Sequence, residues 1–151
     1  MVLYKGIEAG SFLFYSNYES RKGKDLAHDN RSAIVFYWSV TRHQVRVSGT
    51  VRRLGREASL AYFSSRPRGA QLSALASRQS RVIPSRDVLE RAVATLDVKY
   101  PADVPLPADW GGYALRPQWI EFWEGQPDRL HDRIRYRRKP GSGWRTERLS
   151  P

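Results

Sequence analysis

The chain has 151 residues and no cysteine, and its 26 lysines and arginines outnumber its 15 acidic residues, giving a net charge of +11. This length fits one domain, and without cysteine there are no disulfides, thiolate metal ligands or thiol nucleophiles. The three histidines, His28, His43 and His131, lack a metal-binding spacing, so no metal is expected. No apolar run is long enough to cross a membrane and no export signal is recognisable, so we expect a cytoplasmic protein that binds no membrane.

The positive charge does not by itself identify a partner. Clustered lysines and arginines are typical of nucleic-acid-binding surfaces, but here the arginines are scattered along the chain and the aromatic residues follow strand spacing. A protein that binds two phosphorylated small molecules also needs cations. Charge alone therefore does not distinguish the two kinds of partner, and the spacing of the aromatic residues argues against nucleic acid.

The first part of the chain predicts strands around one short helix. Segments 11–16 and 33–38 are apolar and aromatic, which is typical of buried strands. Segment 44–53 alternates between apolar and polar residues, as a half-buried strand does. Between the first two strands, 20–28 could form a short helix with Ser20 as its N-cap.

The remainder predicts helices followed by strands. Helices are predicted at 56–65, 70–76 and 85–100. The proline-rich segment 101–107 is predicted to be an extended connector. Strands are predicted at 113–115, 119–123, 132–138 and 144–149, with a Pro-Gly-Ser-Gly turn joining the last two. Antiparallel strands with helices outside them indicate an α+β fold, mainly antiparallel β, based on a barrel.

Two pairs of residues could bind phosphate. Arg21 and Lys22 follow a predicted strand and turn, where two cations can meet a phosphate dianion. Tyr62 and Arg66 are four residues apart and would share one helix face. The alternatives are a solvated basic turn for the first pair and a packed tyrosine beside a solvated arginine for the second. Gln44, at the start of a strand, can both donate and accept hydrogen bonds, as the edge of a heterocycle requires; the alternative is an ordinary strand-edge glutamine.

The segment 120–133 combines an aromatic plate, Trp123, with arginines and an imidazole. Arg129 and His131 alternate around Leu130, so in an extended segment both would point to the same side. An imidazole that titrates near neutral pH can transfer a proton. The alternative is a core tryptophan beside solvated arginines and a structural histidine.

In its order of residues, segment 120–133 closely resembles the C-terminal signature of the pyridoxamine 5'-phosphate oxidases, FMN enzymes that make pyridoxal 5'-phosphate. Seven further blocks match the family in order and spacing, at 2–6, 14–17, 20–22, 44–46, 62–67, 79–81 and 110–113. The resemblance implies one FMN-binding split β-barrel domain over 1–151 with peripheral helices. Within it, 1–109 would form the barrel and helices, and 110–151 a C-terminal dimerisation segment. It also implies a homodimer with FMN at the subunit interface.

The resemblance also assigns residues. It implies that FMN is bound by Met1, Val2, Leu3, Tyr4, Lys5, Tyr15, Ser16, Arg21, Lys22, Gln44, Gln79, Ser80, Trp123 and Arg133. It implies that the vitamin B6 substrate is bound by Lys5, Tyr62, Arg66, Ala70, Arg129, Leu130 and His131, with Arg129 and His131 as the catalytic residues. The implied reaction oxidises pyridoxamine or pyridoxine 5'-phosphate to pyridoxal 5'-phosphate, with O2 as acceptor and H2O2 as product.

Two departures from the family pattern bear on function, whereas those at Ser39, His43 and Glu124 are expected to be tolerated. Ala70 stands where the family commonly has serine, and losing that hydroxyl costs about 0.5–1.5 kcal/mol for a typical hydrogen bond. Family members also carry residues ahead of the position of Met1, so the N-terminal barrel strands are expected to be missing. One alternative is therefore a truncated, catalytically weak homologue that binds FMN or B6 phosphate without turnover. A reductase with another substrate is a second alternative, which the intact Arg129-Leu130-His131 argues against.

Overall fold

The computed structural model describes all 151 residues and contains seven strands and four helices. In chain order the elements are β1 (Tyr4–Glu8), β2 (Ser11–Asn17), α1 (Arg21–His28), β3 (Arg31–Trp38), β4 (His43–Arg53), α2 (Arg56–Ser64), α3 (Arg68–Ala76), α4 (Arg86–Lys99), β5 (Trp110–Glu124), a 3-10 turn (Pro127–Arg129), β6 (Asp132–Arg138) and β7 (Trp144–Arg148). The sheet order is β1-β2-β5-β4-β3, and β6 pairs with both β5 and β7. This mainly antiparallel α+β architecture confirms the predicted fold class. No helix combines the length and the apolar character that crossing a membrane requires.

The chain divides into two compact units. Unit 1 comprises Met1–Gly6, Leu13–Asp29 and Arg52–Ala114, and unit 2 comprises Ile7–Phe12, Asn30–Val51 and Leu115–Pro151. Unit 1 contains all four α-helices, and its core is formed by Phe63, Leu72, Val104, Leu106 and Trp110. The domain boundary predicted near residue 110 remains a prediction.

In unit 1, two arginines fix the connector that leads to Trp110. The Arg56 guanidinium donates to the carbonyls of Leu106 and Pro107 at 2.6 and 2.7 Å. The Arg68 guanidinium ties α3 to the end of α4, donating to carbonyl oxygens there and to the Asp97 carboxylate. The connector contains three prolines and forms no regular backbone hydrogen bonds of its own. The arginine side chains therefore satisfy several of its carbonyl oxygens. They also hold Trp110 in the core.

In unit 2, strands β5, β6 and β7 form a ladder with two different faces. Trp123 lies opposite Arg133, and Ile134 lies opposite Arg148. Because side chains alternate across a strand, the ladder has one mainly charged and one mainly apolar side, although Arg138 and Arg148 share the apolar side. We call one side the charged face; it comprises Glu121, Trp123, Arg133, Arg135 and Glu147. The opposite side is the apolar face, comprising Ile120, Phe122, Ile134, Tyr136 and Trp144.

Most predicted elements are confirmed, but two strand predictions are wrong. The strands expected at 113–115 and 119–123 are one 15-residue strand, β5, which continues through Pro117. The neighbouring strand accommodates the proline with Gly49, since a Cβ there would lie 1.9 Å from the Arg116 carbonyl oxygen. The run 33–38 is not fully buried, because Val35 and Tyr37 of β3 are exposed. Exposed residues alternate with half-buried ones along most of β3, so one face of this strand is uncovered.

Candidate functional site

Five residues predicted to bind FMN meet at the N-terminus of α1. These are Ser16, Arg21, Lys22, Gln79 and Ser80, here called the α1 cluster. Lys22 Nζ and Ser16 Oγ both donate to Gln79 Oε1, at 2.5 and 3.0 Å, and the Arg21 backbone N–H donates to Ser80 Oγ at 3.3 Å. Two cations, two hydroxyls and a helix N-terminus form a donor set that suits a phosphate group.

The local sequence explains why α1 begins here. Ser20 is the N-cap, as predicted, and its Oγ accepts a hydrogen bond from Gly23 N–H at 3.2 Å. Gly23 is required because a Cβ would lie 2.2 Å from the Tyr18 carbonyl oxygen. Ser80 adopts a φ of +70°, which is uncommon for a residue with a side chain. This conformation accompanies its contact with the first residue of α1.

Lys22 gives the α1 cluster a pH dependence. Burial disfavours the ammonium form and lowers the pKa of Lys22 below its ordinary 10.5. A bound phosphate favours the ammonium, so we expect FMN affinity to be full below this lowered pKa and to fall as the pH rises through it. Titrating apo-protein with FMN from neutral pH to 10.5 measures the decline. Lys22→Arg keeps its charge throughout this range, so an equal decline in that variant would contradict the assignment.

A second group of unit 1 residues surrounds Arg66. The rings of Tyr15 and Tyr62 stack with centroids 3.9 Å apart, and both stack on Trp110. The Arg66 guanidinium lies 4.9 Å from the Trp110 ring centroid, and Lys5 Nζ lies 5.2 Å from that of Tyr62. We call Lys5, Tyr62 and Arg66 the Arg66 cluster. The structure therefore brings together three of the predicted substrate-binding residues.

Arg66 carries an unsatisfied donor. Its Nη1 is buried and has no hydrogen-bond partner, and burial lowers the pKa of its guanidinium. A buried donor without a partner is costly and is uncommon in native structures. Such a donor is a candidate contact for a ligand atom. Ala70 is half-buried in the first turn of α3, where its backbone N–H donates to the Pro67 carbonyl.

The other predicted residues near the N-terminus show no common arrangement. Val2 is half-buried, whereas Met1, Leu3 and Tyr4 are exposed. Lys5 of this segment contacts Tyr62, a predicted substrate-binding residue. The FMN contacts of residues 1–4 therefore remain predictions.

The prediction that Arg129, Leu130 and His131 are extended is wrong. The 3-10 turn Pro127–Arg129 precedes His131, and Asp128 and Arg129 have positive φ angles of 54° and 62°. Because this segment is a turn rather than a strand, alternation does not place the Arg129 side chain beside His131. Arg129 and Leu130 are both exposed. A hydrogen bond closes the loop, because Gln126 N–H donates to His131 Nδ1 at 3.2 Å.

His131 and Trp123 are neighbours in unit 2, with ring centroids 4.7 Å apart. Because His131 Nδ1 accepts a hydrogen bond, the neutral imidazole carries its proton on Nε2. Trp123 and Gln44 also line one cleft of about 480 Å³, together with Trp38 and Phe122. The structure thus brings Gln44 and Trp123 to one cleft, and His131 packs against Trp123 without lining that cleft.

Arg133 is anchored by a residue that the sequence analysis missed. Its Nε donates to Glu121 Oε1 at 3.1 Å, and its Nη1 donates to the Ser150 carbonyl at 2.9 Å. Glu121 is only 2% exposed. An acidic residue between the apolar Ile120 and Phe122 was the available signal, because a charged side chain is rarely buried without a partner.

Comparison with known proteins identifies the family. A model described as "Pyridoxamine 5'-phosphate oxidase" matches residues 1–100, and "Pyridoxine 5'-phosphate oxidase C-terminal dimerisation region" matches 110–151. The chain belongs to the pyridoxamine 5'-phosphate oxidase family. A pyridoxine/pyridoxamine 5'-phosphate oxidase of Salinibacter ruber is 51% identical over 154 residues, and one of Cupriavidus taiwanensis is 50% identical over 151. These alignments cover the whole chain and 72% and 71% of the two relatives.

Solved structures support this membership of the pyridoxamine 5'-phosphate oxidase family. PhzG from Burkholderia lata, in complex with tetrahydrophenazine-1-carboxylic acid, matches with a TM-score of 0.90 and 29% identity, covering 99% of this chain and 73% of PhzG. A pyridoxamine 5'-phosphate oxidase-related, FMN binding protein from Nostoc punctiforme matches with a TM-score of 0.76 and 17% identity, covering 99% and 79%. The second likeness concerns the fold alone. Together they confirm the predicted split barrel with peripheral helices.

Proposed function

We propose that this protein is an FMN-dependent oxidase that converts pyridoxamine or pyridoxine 5'-phosphate to pyridoxal 5'-phosphate, with O2 as acceptor and H2O2 as product; the amine substrate also consumes water and releases ammonia. The observation that carries the proposal is the pair of separate cationic groups in unit 1, the α1 cluster and the Arg66 cluster. FMN and a B6 phosphate each bear a phosphate monoester. An enzyme that uses both therefore needs two phosphate sites.

The residues present fit FMN. In the α1 cluster, the Lys22 ammonium, the Arg21 guanidinium and the donors at the start of α1 suit its phosphate. In unit 2, the Gln44 amide and the Arg133 guanidinium offer polar contacts for a heterocycle, and Trp123 offers an apolar plate. When bound, FMN accepts a hydride from the substrate C4' carbon and passes the electrons to O2.

The Arg66 cluster is proposed to bind the substrate phosphate. Arg66 Nη1 is the unsatisfied donor, Lys5 adds a second positive charge, and the Tyr62 hydroxyl can donate to a phosphate oxygen. Ala70 contributes no side-chain donor to this group. Among the proposed catalytic residues, His131 presents the Nε2–H of its neutral form to the substrate, and Arg129 is exposed and free to cover the substrate ring.

The PhzG likeness suggests a second candidate, the oxidation of a ring carboxylic acid without phosphate. The Arg66 cluster favours a phosphate, because a dianion balances both Lys5 and Arg66. The test compares pyridoxal 5'-phosphate and H2O2 formation from the two B6 phosphates in FMN-loaded protein. Turnover of either substrate supports the proposal. Bound FMN without turnover supports the binding-only homologue instead.

We also propose that the protein is a homodimer associated through its apolar face. Phe122, Tyr136 and Trp144 are exposed there, and the five apolar-face residues line a depression of about 530 Å³. Exposed apolar patches of this kind are typical of interaction surfaces. The face also lies within the segment matched by the C-terminal dimerisation region.

A charge on the apolar face is expected to separate the subunits. Phe122→Asp combined with Tyr136→Asp would place two carboxylates in the interface, where burying an unpaired charge is strongly unfavourable. Light scattering should give twice the 17.4 kDa chain mass for the wild type and the single-chain mass for the variant. Arg137→Asp, a charge change on the opposite side of β6, is the matched control and should stay dimeric. A monomeric wild type would refute the dimer.

A further inference from the structure

A single buried carboxylate organises the charged face of unit 2. Glu121 is 2% exposed, and it lies between two arginines from the strands on either side of β5. Its Oε1 accepts from Arg133 Nε at 3.1 Å, and its Oε2 lies 3.6 Å from Arg46 Nη2. The Arg46 guanidinium is also 5.4 Å from the Trp119 ring centroid. Glu121 therefore connects β4, β5 and β6.

The strand register explains this geometry. Trp123 is directly opposite Arg133, and Glu121 precedes Trp123 by two residues, so all three side chains are on one face. Glu121 reaches Arg133 along the diagonal between the strands, a distance that long side chains can span. The Ser150 carbonyl holds Arg133 Nη1 from another direction. The Arg133 guanidinium is thus held by two acceptors.

We propose that Glu121 is a positioning residue that holds the Arg133 guanidinium in the orientation that binds FMN. This inference rests on the proposed function, which makes Arg133 an FMN contact. A long arginine side chain loses conformational freedom when it binds a ligand. Fixing the guanidinium beforehand lowers that cost and improves its alignment. Glu121 itself contributes through Arg133 and is not assigned a contact with FMN.

The chain supplies a matched control in Glu147. This carboxylate is on the same face and also contacts two arginines, Arg135 at 2.6 Å and Arg145 at 3.3 Å. Neither of these arginines is predicted to touch FMN. Glu121→Gln and Glu147→Gln each remove one such carboxylate charge, so a general effect of charge or stability would appear in both variants.

The first experiment titrates the apo-protein of each variant with FMN. Glu121→Gln is expected to weaken FMN binding about tenfold, the size of effect seen when groups that orient a ligand-binding residue are lost. Glu147→Gln should remain within about twofold of the wild type. If Glu121→Gln does not fold, as judged by circular dichroism, Glu121→Asp replaces it. Aspartate keeps the charge but withdraws the carboxylate from Arg133, so the same weakening is expected.

The second experiment asks whether Glu121 acts through Arg133. In an Arg133→Ala background, the Glu121 substitution should change FMN affinity by less than about twofold, because coupled residues are not additive. An equal loss with and without Arg133 would overturn the inference, as would wild-type affinity in the single variant. A wild type that binds no FMN would refute the proposed function, and the inference with it. A wild type that binds FMN while Glu121→Gln matches it refutes the inference alone.

Discussion

Replacing Arg66 by alanine is expected to lower kcat/KM for pyridoxamine 5'-phosphate about 100-fold, mainly through a higher KM. Arg66 Nη1 is buried without a partner beside the Trp110 ring, and Lys5 lies on the neighbouring Tyr62 ring. Hydrogen bonds to charged groups contribute about 1.5–3 kcal/mol each, and a factor of 100 corresponds to about 2.8 kcal/mol. Arg66→Lys keeps the charge but loses the planar fork, so its loss should be intermediate.

Assays with pyridoxamine, which lacks the phosphate, show whether the fall in kcat/KM comes from a lost contact with the substrate phosphate. The wild type should strongly prefer the phosphorylated substrate, and Arg66→Ala should lose most of that preference. Arg91→Ala, at an exposed position of α4, is the control for removing one positive charge and should behave as the wild type. A variant that loses activity equally with both substrates would show that Arg66 does not bind the substrate phosphate.

Removing both cations at the start of α1 is expected to weaken FMN binding by at least about 100-fold. In the Arg21→Ala/Lys22→Ala variant two charge-assisted contacts disappear, each worth about 1.5–3 kcal/mol before any coupling. Lys22 Nζ is held on Gln79 and Ser20 by hydrogen bonds, so the wild-type ammonium is already oriented. Apo-protein titration with FMN measures the loss.

Lys24 provides the control for the α1 experiment. It is on the same helix but pairs with Glu19 at 3.6 Å, and 55% of its side chain is exposed. Lys24→Ala should bind FMN as the wild type does, because an exposed ion pair contributes little. Unchanged FMN affinity in the Arg21/Lys22 double variant would refute the phosphate site at α1.

Local sequence signals predicted the helices and the half-buried strand well. Ser20 caps α1 as expected, and β4 carries Val47 and Val51 on its buried side. These signals are encoded within a few residues, in the capping side chain and in the alternation of apolar positions. Arg21 and Lys22, adjacent in sequence after a strand and a turn, were predicted to bind phosphate, and that role stays a prediction.

Features that depend on distant residues were not predictable in the same way. The continuity of β5 through Pro117 depends on Gly49 of the adjacent strand. The turn before His131 requires left-handed backbone at Asp128 and Arg129, neither of which is glycine. Glu121 gains its role from partners on β4 and β6, which the sequence alone does not bring together.

The most direct test of the proposed function is to mix FMN-loaded protein with pyridoxamine 5'-phosphate in the absence of oxygen. Under these conditions the substrate is the sole electron donor, so oxidation of its C4' carbon must appear as reduction of the flavin. We expect the yellow absorbance of the bound flavin to disappear and an equal amount of pyridoxal 5'-phosphate to form, with the colour returning when air is admitted. Retention of the yellow colour by protein that has bound both FMN and substrate would contradict the account.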